Sequence, residues 1–309
     1  MGRYVVRRLL QSIPVFIGAT LLIFLMMYSL PGDPVRALWG EQSVDPAQIA
    51  AMKKDLGLDL PLWQQYWNYF IGLFQGDFGT QIASGRPVSE VIGEALPVTI
   101  RLALFAFTFT TLAGISLGVL AGLRADRLFD RGMLFFTLLL ISVPSFVLGY
   151  VAQFVFAFKL DLLTPTVQDS EAFGDLLMPA VVLGSLSLAY VVRLTRTSIV
   201  ENLRSDYIRT AIAKGLPRRR VIGVHLMRNS LIPVVTFLGT DLGALLGGAV
   251  ITEGIFNVQG VGNLVYDALF RREGSTVVGI VTLLVIIYLA VSLIVDLLYA
   301  VLDPRIRYV

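Results

Sequence analysis

Gly114-Ile115-Ser116-Leu117-Gly118 has the spacing of a serine nucleophile elbow, whose strained turn offers a hydroxyl to a histidine and an acid. The surroundings argue against that chemistry. The motif lies inside a long apolar run, and the one histidine, His225, belongs to a distant basic segment. Gly114, Gly118 and Gly122 recur every four residues instead, a face on which a second helix can approach closely. No HExxH, GxxxxGK[ST] or dinucleotide fingerprint occurs, so no enzyme site is visible. With no cysteine there is neither a disulfide framework nor thiolate chemistry. Asp241 stands alone in an apolar run, and Asp296 lies near the end of another. A carboxylate at bilayer depth must face protein or water. Asp241 is therefore either a pathway-lining residue or a hydrogen-bonded strut between helices. The lack of a second ionisable group at its depth favours the strut.

The segment with most to offer a partner runs from Asp206 to Arg220. Asp206 is suited to cap a short helix, Gly215 to close it in the left-handed conformation, and Pro217 to prevent its continuation. On that helix Tyr207, Ile208, Ala211 and Ile212 share one side, with Arg209 and Lys214 away from it. A helix this short is marginal alone in water. It is read as a docking element.

Those residues must be held by membrane spans. Of 309 residues, 56% are hydrophobic and 15% charged, with mean hydropathy +0.75, which excludes a soluble domain of this size. The pI near 9.2 reflects loop arginines facing an anionic leaflet or a partner; no aromatic-and-basic ladder points to nucleic acid. Six runs are long enough to cross a bilayer: 9–30, 102–123, 132–158, 176–192, 231–251 and 276–298. The first is too long for a signal-peptide core and no Ala-x-Ala site follows, so it is read as an uncleaved span. Pro144 and Pro179 are expected to kink the third and fourth. Segment 193–228 carries nine Lys or Arg against Glu201 and Asp206, whereas 31–94 carries four basic and eight acidic residues. The positive-inside rule then places both termini and the docking segment in the cytoplasm.

Three parts follow: 1–30, the N-terminus and first span; 31–101, an external region; 102–309, a five-span core with the cytoplasmic loop 193–230. In the external region Asp45-Pro46 starts a helix that Gly57 ends. Leu60-Pro61 begins another, on which Leu62, Trp63, Tyr66, Trp67, Phe70, Ile71 and Phe74 form one stripe. That stripe suits either the membrane interface or packing on neighbouring spans. After Asp241, Gly243, Gly247, Gly248, Gly254, Gly260 and Gly262 suggest close helix contact and then a turning, re-entrant segment.

Taken together, these segments resemble the transmembrane permease subunits of bacterial ABC importers, in the dipeptide, oligopeptide and nickel branch. Arg209-Thr210-Ala211-Ile212-Ala213-Lys214-Gly215-Leu216 is similar to that branch's EAA loop, with Arg209 and Thr210 where the general pattern has Glu-Ala. Pro233 follows Gly215 at the spacing of the peptide branch. Leu30-Pro31-Gly32-Asp33-Pro34, Leu56-Gly57-Leu58, Gly76-Asp77-Phe78-Gly79 and Asp303-Pro304-Arg305 also match. So does Gly248-Ala249-Val250-Ile251-Thr252-Glu253, with Phe256 and Gly260-Val261-Gly262. Gln259, where proline is common, and Arg271-Arg272-Glu273-Gly274 depart from the pattern.

The resemblance implies an all-α integral membrane protein with the type I importer fold. It implies a second similar permease, two cytoplasmic ATPases and an external binding protein as partners, in a bacterial inner membrane. Tyr207, Ile208, Arg209, Thr210, Ala211, Ile212, Lys214 and Gly215 would couple to an ATPase, with Tyr207, Ile208 and Ile212 giving apolar contact. Asp241, Glu253, Phe256, Gly260 and Gly262 are the candidate pathway or gate residues. No catalytic, cofactor or metal residue is expected in this chain, since ATP and magnesium would be held by the ATPases. Di- or oligopeptides are the first expectation for cargo, nickel chelates or haem the alternatives. A secondary transporter, needing paired ionisable groups and a repeated half, is the competing class.

Overall fold

Five of the six apolar runs form unbroken helices of 25 to 36 residues, longer than the roughly 20 residues that a bilayer requires. The computed structural model describes residues 2–28, 35, 45–55, 57–81, 84–271 and 273–302. In chain order the helices are α1 (Gly2–Tyr28), α2 (Pro46–Asp55), α3 (Leu62–Leu73), α4 (Val88–Leu123), α5 (Leu128–Ser142) and α6 (Ser145–Ala152). Next come α7 (Leu177–Leu203), α8 (Asp206–Ala213), α9 (Arg218–Arg220), α10 (Met227–Ser230), α11 (Ile232–Phe256), α12 (Val261–Phe270) and α13 (Gly274–Leu302). π-Helical turns Gln153–Lys159 and Val221–Leu226 extend α6 and join α9 to α10. Leu30-Pro31-Gly32-Asp33-Pro34, Leu56, Arg272, Asp303-Pro304-Arg305 and the side chain of Asp296 lie outside the described residues.

Residues 1–99 and 259–309 form one compact unit. Here α1 and α13 pack antiparallel, the start of α13 at Gly274 lying beside Met27 at the end of α1. The N-terminal end of α1 and the C-terminal end of α13 therefore share a side. Asp45 accepts a hydrogen bond from the Ala47 amide (2.9 Å) at the start of α2, and Gly57, at φ +65°, ends it as expected. A side chain at Gly279 would overlap the Phe78 carbonyl, so this glycine lets the 77–79 segment lie against α13.

Residues 100–258 form the other unit, built on α4 and α7. A Cβ at Gly114 would fall 2.6 Å from Val191 Cγ1, at Gly118 2.5 Å from Thr195 Cβ, and at Gly122 2.6 Å from Ile199 Cγ2. Gly184 reciprocates against Ala106 and Thr110, whose hydroxyl donates to the Gly184 carbonyl (3.2 Å). Numbers rise together on both helices, so α4 and α7 are parallel and the glycine stripe is their seam. The chain between them must then cross the membrane once.

That crossing is not the kinked helix expected at Pro144. α5 and α6 meet at 106°. Proline forces the preceding residue out of the helical region, and Val143 is extended (φ −100°, ψ 126°) while Pro144 starts a new helix. Among the described residues, counting this broken pair as one span gives six, with five unbroken. Pro179 makes no kink, because it lies in the first turn of α7, where its missing N–H has no helical partner to lose. Segment 193–230 is no loop, since α7 continues to Leu203 and α8 to α10 fill much of the rest. Nor is α11 interrupted by Gly243, Gly247, Gly248 or Gly254; it runs to Phe256 and turns at Asn257, which is left-handed at φ 53°. α11 packs antiparallel on α7 through Val234, Leu238 and Val191.

Candidate functional site

Two residues, Arg204 and Ser205, separate the end of α7 from the start of α8. Ser205, extended at φ −73° and ψ 152°, is its N-cap position. The Ser205 hydroxyl donates to the Asn202 carbonyl (2.5 Å) and so does not cap α8. Asp206 is the first helical residue rather than the cap. Its carboxylate lies 3.5 Å from Arg209 Nη1, where it still complements the positive helix terminus. The C-terminal end follows the sequence reading. Gly215 (φ +74°) donates to the Ile212 carbonyl (2.9 Å) and Leu216 to that of Ala211 (3.3 Å), the paired bonds of a Schellman stop.

The side expected to present Tyr207, Ile208, Ala211 and Ile212 together is split. Ile208 is 1% exposed and Ala211 is buried, both in a core with Ile199, Val221 and Leu226, and Leu216 packs against it. Ile208 is therefore corrected from partner contact to internal anchor. Its burial stabilises the seating of α8 by about 1.5–3 kcal/mol, which an eight-residue helix needs. Ile212 is 61% exposed, and Tyr207, Arg209, Thr210 and Lys214 are also outward. The Tyr207 hydroxyl donates to Asn202 Oδ1 (2.6 Å), laying its ring along the surface. Ile212, Leu216, Ile222 and Arg218 border an apolar recess of about 340 Å³. The result is an exposed apolar and cationic face on a rigidly seated helix.

Two residues absent from the sequence reading brace this assembly. Arg196 on α7 grips Asp130 on α5 with both arms, Nε to Oδ1 at 3.0 Å and Nη2 to Oδ2 at 2.7 Å. Asp130 is 1% exposed and also accepts from the Asp126 amide (2.8 Å). The bidentate geometry fixes orientation as well as distance. No spacing rule links positions 66 apart, so only the fold could reveal the pair.

Asp241 Oδ1 accepts from Ser187 Oγ on α7 (2.7 Å), the strut anticipated for it, while Oδ2 has no hydrogen-bond partner among the described residues. Glu253 and Phe256 are buried within the 100–258 unit, and the Phe256 carbonyl accepts from Val167 N–H (2.8 Å). Gly260 and Gly262 belong to the other unit, where Gly260 precedes α12 and the Val261 amide donates to Thr99 Oγ1 (2.8 Å). Of the departure at 271–274, Arg271 follows the end of α12 and the buried Glu273, just before α13, accepts from Thr276 Oγ1 (2.8 Å). Ser116 lies mid-helix in α4, not on a strand-turn-helix elbow, and His225 lies in the π-helical turn after α9.

Among the described residues the regular structure is helical, with spans of this length, which is the architecture of a multi-pass membrane protein. Residues 114–308 match the family described as binding-protein-dependent transport system inner membrane component, and residues 1–103 match its N-terminal part. The chain belongs to that family, whose members work with a substrate-binding protein and an ATPase. It is 40% identical over 337 aligned positions to the dipeptide transport system permease protein DppB of Escherichia coli K12, covering 100% of this chain and 99% of that protein. Identity is 38% to the di/tripeptide transport system permease protein DppB of Pseudomonas aeruginosa, covering 100% of this chain and 99% of that protein. It is also 38% to the glutathione transport system permease protein GsiC of Salmonella choleraesuis, with both chains fully covered.

Proposed function

We propose that this chain carries di- or oligopeptides across the bacterial inner membrane as half of a pathway completed by a second similar permease. Its relatives are named for dipeptide, di/tripeptide and glutathione transport, all short peptides, which favours this cargo over nickel chelates or haem. The excess of Lys and Arg in 193–228 supports a cytoplasmic α8, and with it cytoplasmic termini. There α8 docks on one of two ATPases, which hold ATP and magnesium.

The observation that carries this reading is the division of α8 into a buried face at Ile208 and Ala211 and an open face at Ile212, Arg209 and Lys214. A helix fixed on one side and bare on the other can pass a rigid-body movement of its partner into α7. Ile212→Asp tests it in vesicles holding the assembled transporter, ATP and binding protein. Peptide uptake and ATPase copurification should fall while membrane insertion persists. Unchanged copurification and uptake would remove α8 from the joint. Uptake that instead collapses with the proton gradient at constant ATP would favour a secondary transporter.

A further inference from the structure

We infer that α3 is embedded in the bilayer leaflet at the C-terminal end of α1, with Trp63, Trp67, Ile71 and Phe74 against lipid acyl chains. This goes beyond the transport reading and holds whatever the cargo, since it needs only the membrane topology.

The inward side of α3 fixes its depth. The Tyr66 hydroxyl lies 3.1 Å from Thr20 Oγ1, and the Tyr66 ring meets Phe24 edge-on at 5.4 Å. Phe70 meets Phe16 at 6.1 Å. On α13, Tyr69 donates to Thr282 Oγ1 at 2.6 Å. The apolar part of α1 reaches at least Met27, so Thr20 and Phe16 lie at least seven and eleven residues inside it. At 1.5 Å per residue these are depths of about 10 and 16 Å, comparable with half of a hydrocarbon core about 30 Å thick. α3 therefore lies beside α1 within the apolar slab rather than above it.

The outward side has the chemistry for that place. Trp63 is 71% exposed, Trp67 56%, Ile71 42% and Phe74 75%, at spacings of four, four and three. α3 has no charged residue. Its backbone bonds are internal, which hydrocarbon requires. The helix it packs on, α1, also exposes apolar side chains, among them Ile13, Leu21, Leu22 and Leu25. Two indoles on one short helix suit a segment that reaches from acyl chains toward the headgroups.

The test uses the full-length chain in the assembled transporter, because its lack of cysteine permits single nitroxide labels. Trp67→Cys, Ile71→Cys and Phe74→Cys are labelled before assembly and retained if ATP-driven uptake persists, with Ser84→Cys as the exposed polar control. Spin relaxation by oxygen, which concentrates in acyl chains, should exceed that by water-soluble chromium oxalate several-fold at 67, 71 and 74, with the reverse at 84. Dominance of chromium oxalate at the α3 positions would place them in water. Low access by both would mean that another protein chain covers them. Either result overturns the inference. Independently of labelling, Trp67→Glu should reduce the yield of folded protein several-fold while Trp67→Leu leaves it unchanged; equal yields would overturn it too.

Discussion

Helix α7 holds two carboxylates in two different ways. Asp130 accepts two hydrogen bonds from Arg196 and one from the Asp126 amide. Asp241 accepts one, from Ser187, and its second oxygen has no hydrogen-bond partner among the described residues. The cause is position along a helix. Asp130 is in the first turn of α5, where the preceding turn offers a spare backbone N–H and a guanidinium can reach in from α7. Asp241 is in the middle of α11, where every nearby amide is consumed by the helix and only side chains can serve it. A buried acid at a helix end can be fully satisfied by its own fold. One at a helix centre depends on what its neighbours happen to carry.

Three substitutions would break or sharpen that contrast. Arg196→Ala strands Asp130 in a site where it is 1% exposed, and removing one partner of a buried pair costs about 3–5 kcal/mol. The value should sit at the lower end, because the Arg196 side chain is 21% exposed. A large drop in the thermal unfolding midpoint of detergent-solubilised protein is expected. Ser187→Ala should cost less, about 1–3 kcal/mol, by leaving both Asp241 oxygens without a hydrogen bond. Asp241→Asn should be smallest, within about 1 kcal/mol, since an amide oxygen can still accept from Ser187. If Asp241→Asn proved as damaging as Arg196→Ala in the same unfolding assay, Asp241 would be a charged partner in an ion pair and the contrast would fail.

Much of the frame was legible because its signals are local. Apolar runs marked the spans, Asp45 and Gly57 marked both ends of α2, and a four-residue glycine period marked a seam. What was missed depends on pairing across the chain. Arg196 read as one more positive-inside residue and Asp130 drew no notice. Pro144 read as a kink, since sequence locates a proline break without giving its angle. The extension of α4 back to Val88 and of α7 on to Leu203 was missed because polar residues at a membrane edge look like loop.

By itself the sequence determined an all-helical membrane chain and the stop of α8 at Gly215, because hydropathy and left-handed glycine chemistry act over a few residues. Only the tertiary structure decided what α8 shows to the outside. Helical period tells which residues share a side, but Ile208 and Ile212 are equally apolar and one turn apart. The turn at Ser205 and the core formed by Ile199, Val221 and Leu226 bury the first and leave the second exposed.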